Sequence, residues 1–189
     1  MRFLHLALVA ALFTVAAVPA RAADDILDAI DQARKAYQAG DLSNAKQQLD
    51  LASQLIGQKN AESFAKLLPE PLPGWKAEKA ETQALGAALV GASAASRTYT
   101  NAKGDNVEIS ITGDSAMIMQ FAPMMANPAI AASMGKLIRI GNQRGVQSQN
   151  GDVIMLVANK FLIQVQGSAD GASKLAYAKA IDIAKLAKK

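Results

Sequence analysis

The sequence predicts an α+β fold in which an N-terminal helical hairpin is followed by an antiparallel sheet with helices packed on one face. Apolar residues recur at helical spacing up to about residue 68, and from residue 95 they alternate with polar residues. These two periods are typical of amphipathic helices and half-buried strands. Because the helical region precedes the alternating one, the pattern indicates an α+β layer architecture.

The helical hairpin is predicted from two apolar stripes separated by Gly40-Asp41. The first stripe is Ile26, Ile30, Ala33 and Tyr37, and the second is Leu42, Ala45, Leu49, Ala52 and Ile56. Asp41 suits the N-cap of the second helix, because its carboxylate can accept hydrogen bonds from free backbone amides. We expect Gly57 to end this helix and a third short helix to span residues 61–68.

The second half is predicted to begin with a strand at Trp75, followed by a β-hairpin and a helix at 114–126. Four further strands form an antiparallel meander, because Asn- and Gly-containing sequences that suit tight turns separate them. The hairpin strands are 97–100 and 107–112, and the meander strands are 136–140, 145–149, 152–158 and 161–166. A helix at 169–188 closes the chain, with Lys174 and Lys185 on its exposed side.

Residues 1–22 have the three parts of an export signal. Arg2 gives a positive start, an apolar run follows from residue 3 to residue 18, and Ala20-Arg21-Ala22 offers a cleavage site. The run is shorter than the roughly 20 residues that a spanning helix needs. We therefore expect cleavage before Ala23, a periplasmic location, and no integral membrane segment in the mature chain.

A proline-rich linker divides the mature chain. Residues 69–74 contain three prolines, which forbid a helix and favour extended backbone. The predicted domains are therefore a helical hairpin at 23–68 and an α+β domain at 75–189. Because the second domain has apolar faces of its own, we expect it to fold without the hairpin.

Two resemblances accompany these elements. Gly40-Asp41, followed by Ala45, Leu49 and Ala52, resembles the second half of a tetratricopeptide repeat, and the likeness covers residues 26–56. At least about three stacked repeats are needed for the binding surface of that family, so the resemblance implies only a helical hairpin. The element order over residues 75–188 resembles that of PsbP and Mog1-like domains and their bacterial envelope relatives. This resemblance implies an α+β fold. Because no binding motif accompanies it, it implies no role for any particular residue.

Composition excludes several kinds of chemistry. The chain has no cysteine, and its one histidine, His5, lies in the predicted signal. A mature chain without these residues cannot use Ser-His-Asp or Cys-His catalysis, and it lacks the usual ligands of zinc and of iron–sulfur clusters. Without the signal its formal charge is only +2, so nothing indicates a nucleic-acid partner. Carboxylates remain, and Glu108, Asp114 and Asp152 lie near predicted strand ends.

Methionine is the least ordinary local feature. Met117, Met119, Met124, Met125 and Met134 fall within eighteen residues of one another. Three interpretations stay open: a buried helical stripe, an adaptable apolar binding surface, or a Cu(I) site. A Cu(I) site would use Met117, Met119, Met124 and Met125. A binding surface would use Met119, Met124, Met125 and Met134, and Trp75 is a further candidate for it, although it more simply plugs the end of the second domain.

The sequence therefore predicts a non-enzymatic periplasmic accessory protein without a cofactor. Its expected partner is an envelope protein or a small apolar ligand. The alternatives are a methionine-based Cu(I)-binding protein and a carboxylate-dependent hydrolase, because these two chemistries survive the exclusions above.

Overall fold

The computed structural model describes residues 24–84, 92–113, 115, 118, 122–123, 125 and 127–188. Its helices are α1 (Asp25–Gln38), α2 (Leu42–Ala65), α3 (Pro128–Met134), α4 (Gly171–Ala180) and α5 (Ile183–Leu186). Its strands are β1 (Trp75–Ala77), β2 (Glu81–Ala84), β3 (Ser93–Asn101), β4 (Asn106–Gly113), β5 (Lys136–Ile140), β6 (Gln143–Gln147), β7 (Val153–Val157) and β8 (Phe161–Gln166).

The strands form one antiparallel sheet in the order β1-β3-β4-β8-β7-β6-β5, and β2 also pairs with β3. The β3–β4 hairpin and the β5–β8 meander were both predicted, and the pairing of β4 with β8 joins them. The α+β fold with its helical hairpin is thus confirmed. Strand β2 was not predicted, and β3 begins at Ser93, four residues before the strand predicted at 97–100.

The helical pair differs from its predicted form in two respects. Helix α2 continues through Gly57 to Ala65, and Gly57 is buried there because α2 passes close to Ala84 and Ser93. The buried residues of α1 are Ala29, Ala33 and Ala36, of which Ala33 belongs to the predicted stripe, and Ala45 and Ala52 are the buried members of the α2 stripe. The large members are exposed apart from Ile26, which is half-buried. Alanines allow close helix approach, so helical spacing predicted the stripes but not which of their members would be covered.

The core lies on one face of the sheet, beneath α2 and α4. Strand residues on this face include Tyr99, Ile109, Met155 and Ile163, all fully buried. From α2, the ring of Phe64 packs edge-on against Phe161 at 5.5 Å between centroids. The helical hairpin therefore contributes directly to the core of the sheet. The boundary at 69–74 stays a prediction.

The closing helix also departs from the prediction. It breaks at Ile181–Asp182, where Asp182 caps the short helix α5. Lys174 is 2% exposed and not on the solvent side, because its ammonium group pairs with Asp152. In the described residues, no helix has both the length and the apolar character needed to cross a bilayer.

Candidate functional site: a groove beside the β5–β6 hairpin

An apolar concavity lies between α3 and the β5–β6 hairpin. Its volume is about 450 Å³, which is within the range of small-molecule sites. The walls are mainly apolar, and they come from Met125, Pro128, Ala131, Leu137, Ile138, Gly145 and Val146. Leu137 remains 47% exposed, so a large apolar side chain is left open to solvent at this site.

Backbone geometry shapes the groove. Gly135 joins α3 to β5 at a positive φ of 157°, and a Cβ there would overlap the carbonyl oxygen of Gln147. Only glycine therefore allows α3 to approach β6 this closely. At the other end of β5, Gly141 has a φ of 56° in the two-residue turn to β6, which sets the register of the hairpin.

That register brings two arginines together. Arg139 lies directly opposite Arg144 across β5 and β6, and both residues line the groove. Like charges in this arrangement repel each other. Within the described part of the chain, neither arginine forms an ion pair with a carboxylate. The groove thus combines apolar walls with two arginines that no carboxylate pairs with among the described residues.

The predicted methionine site is described only in part. Met125 is half-buried and lines the groove, whereas Met134 is 38% exposed at the end of α3 and does not line it. Met117, Met119 and Met124 lie outside the described residues. The Cu(I) site therefore stays a prediction, as does the buried stripe. Of the two described methionines of this set, Met125 is the one that lines the groove.

Trp75 lies away from this groove. Its indole packs edge-on against the ring of Tyr177, with 5.3 Å between ring centroids, and it is half-buried against the main core. This contact is the one expected of a side chain that plugs the end of the domain. The surface role predicted for Trp75 is not tested by it.

A polar cleft beside the β6–β7 turn and the end of β8 contains two of the candidate carboxylates. Glu108 and Asp152 both line it, together with Lys174. The Lys174 ammonium group donates to Asp152 Oδ1 at 2.6 Å and to the Asn150 carbonyl oxygen at 2.9 Å. Asp152 is therefore held as the counter-ion of a buried lysine, and Glu108 accepts from Gln166 at 3.2 Å. The third candidate, Asp114, lies outside the described residues.

The helical pair carries a second apolar surface. Ile30, Tyr37, Leu42, Leu49 and Ile56 are between 42% and 69% exposed. Seven-residue spacing places Ile30 and Tyr37 on one side of α1, and it places Leu42, Leu49 and Ile56 on one side of α2. We call this set the α1–α2 apolar face.

No family model, curated protein or solved structure matches the chain. The site must therefore be judged from its own geometry. Sequence analysis missed Leu137, Arg139 and Arg144, because β5 was treated only as a strand of the meander. The turn between β5 and β6 is the sequence feature that could have indicated the two arginines, because strand pairing across Gly141-Asn142 places positions 139 and 144 opposite each other.

Proposed function

We propose that this protein is a non-enzymatic binding protein of the bacterial periplasm and that the groove between α3 and the β5–β6 hairpin holds a small apolar ligand. One observation carries the proposal: a concavity of small-molecule size keeps Leu137 nearly half exposed beside the buried Val146. Exposed apolar surface in a concave site is characteristic of ligand binding. A small ligand suits this cleft better than a protein partner, which would need a broader surface.

The proposed location rests on the N-terminal pattern. Arg2, the apolar run that follows it and the Ala20-Arg21-Ala22 sequence are the parts of a cleaved signal. Exported protein should begin at Ala23, and intact-mass measurement of the periplasmic fraction tests this. A secreted chain that still carries Met1 would contradict the proposed export.

The ligand-binding proposal is tested with a neutral apolar dye, Nile red, whose fluorescence rises when it leaves water. The mature chain should bind it at the groove, and Leu137→Lys should weaken binding about tenfold or more, because a charge replaces part of the apolar wall. The control is Leu51→Lys on α2, where the leucine is 43% exposed and distant in the fold. Equal loss of binding in both variants, or no binding by the unaltered chain, would contradict the proposal.

A further inference from the structure

We propose that the ligand of this groove is a single-chain amphiphile with a carboxylate head group, which Arg139 and Arg144 bind while Leu137, Val146 and Met125 contact its hydrocarbon chain. This inference rests on the proposed function, since it adds a ligand class to the same groove. It assigns a role to the two arginines that the fold itself does not explain.

The groove lies in a stretch of the chain whose charged residues are all basic. Residues 115–151 contain Lys136, Arg139 and Arg144 and no acidic residue. The pairing of β5 with β6 then fixes Arg139 opposite Arg144. Arginines at directly opposite strand positions repel each other, and an anion bound by both guanidinium groups converts this repulsion into attraction. The sheet register thus creates a place that favours negative charge.

The two arginines lie next to apolar residues of the groove wall. The pleat alternates side chains across the sheet. Gly145 pairs with Met155 of the core, so the neighbouring Arg144 and Val146 lie on the opposite face. Val146 pairs with Leu137, and this pair lies two residues along the hairpin from the Arg139–Arg144 pair, on the same face of the sheet. A charged position therefore adjoins an apolar one in the same groove.

The arginine side chains and the volume of the groove together limit the shape of the ligand. Arginine presents a planar fork of donors that matches the two oxygens of a carboxylate. The volume of about 450 Å³ is near the lower end of the range for small-molecule sites. It favours one slender hydrocarbon chain over a lipid with two chains. A fatty-acid-like carboxylate satisfies both the charge and the shape.

The test compares dodecyl compounds that differ only in the head group. Sodium dodecanoate, dodecan-1-ol and dodecyltrimethylammonium each compete with Nile red below their micelle concentrations. We expect dodecanoate to compete at concentrations at least about tenfold lower than dodecan-1-ol, and dodecyltrimethylammonium to compete least. Added salt should weaken the competition by dodecanoate and leave the competition by dodecan-1-ol unchanged, because ions screen exposed charges.

The matched variant is Arg139→Gln/Arg144→Gln. It should lose the advantage of dodecanoate over dodecan-1-ol while it keeps the affinity for dodecan-1-ol, which also shows that it is folded. The control is Arg34→Gln, because Arg34 is an exposed arginine of α1 that pairs with Asp31. This variant should keep the preference of the unaltered chain.

The outcomes separate the two proposals. Equal competition by dodecanoate and dodecan-1-ol, or a preference that survives in the double variant, would overturn the carboxylate assignment and leave the apolar groove intact. Failure of Nile red and of every dodecyl compound to bind would instead overturn the proposed function itself.

Discussion

The ring centroids of Tyr99 and Tyr177 lie 4.4 Å apart in the core, with the rings tilted by 34°, and both hydroxyl groups form hydrogen bonds with the proline-rich segment at 69–74. The Tyr99 hydroxyl donates to the Pro69 carbonyl oxygen at 2.7 Å, and the Leu72 amide donates to the Tyr177 hydroxyl at 3.2 Å. The segment predicted to be a linker is thus bound to β3 and α4. The two tyrosines connect the helical pair to the sheet.

Burial of Tyr99 predicts a loss of stability at high pH. Desolvation raises the pKa of Tyr99 to about 12, from its ordinary value of 10.0. The unfolded chain therefore loses this proton first, so the contribution is complete below pH 10 and disappears as the pH rises to about 12. We expect a decrease on the order of 2 kcal/mol in the free energy of unfolding over that range.

The measurement is urea unfolding at pH 9 and at pH 12. Tyr99→Phe should lower stability at pH 9 by about 1 kcal/mol, through the lost hydrogen bond to Pro69, and it should reduce the alkaline decrease. Tyr37→Phe is the control, because its ring is 69% exposed on α1. An undiminished alkaline decrease in Tyr99→Phe would show that another group is responsible.

The buried Lys174–Asp152 pair predicts unequal effects of its two substitutions. The side chain of Lys174 is 3% exposed and that of Asp152 is 35% exposed. Asp152→Ala leaves a buried ammonium group without its counter-ion and should lower the free energy of unfolding by about 3 kcal/mol. Lys174→Met should cost less, because water can still reach the Asp152 carboxylate.

The double variant completes the experiment. Lys174→Met with Asp152→Ala should be about as stable as Lys174→Met alone, because no buried charge remains. Stability is measured by urea unfolding at neutral pH. If Asp152→Ala proved no more destabilising than Lys174→Met, burial of the ammonium group would not be what makes this pair important.

Neighbouring positions of α2 test which residues form the contact between the two helices. Ala52 is 3% exposed against α1, whereas Leu49 is 55% exposed. Ala52→Leu should lower the free energy of unfolding by about 1–3 kcal/mol, because a larger side chain forces the helices apart. Leu49→Ala should change stability by less than about 0.5 kcal/mol. The opposite order in thermal unfolding would mean that the large residues form the contact.

Burial of Phe64 changes what is expected of residues 71–189 alone. Phe64, Leu67 and Leu68 belong to the core of the sheet and are missing from a chain that starts at Pro71. A chain that starts at Asn60 keeps them and should unfold cooperatively, and the shorter chain should be less stable by about 3 kcal/mol or more. Equal melting temperatures would support separate folding of the sheet domain.

The sequence was most informative where periodicity alone determines structure. Alternation and turn residues predicted the β3–β4 hairpin and the β5–β8 meander, because both signals are local. They could not predict that β4 pairs with β8, since this contact joins distant segments. Local pattern also could not show that Lys174 would find Asp152, or that alanines and not leucines would fill the contact between α1 and α2.

The candidate site was predicted far less well, and the reason is physical. Of the residues proposed for a binding surface, the structure describes Met125, Met134 and Trp75, and among these three only Met125 lines the groove. Methionine suits a core and a binding surface equally well, so composition could not decide between them. The arginines become informative only once strand register places them opposite each other, which requires the pairing of β5 with β6.

The central claim is that the groove beside β5 and β6 is the ligand-binding surface, and a heteronuclear NMR titration with dodecanoate tests it most directly. The account predicts shift changes concentrated at Leu137, Val146 and the Met125 methyl group, with little change on α1 and α2. It would be contradicted if the changes fell on the α1–α2 apolar face, at Tyr37, Leu42 and Leu49, because the ligand would then bind the exposed helical surface instead.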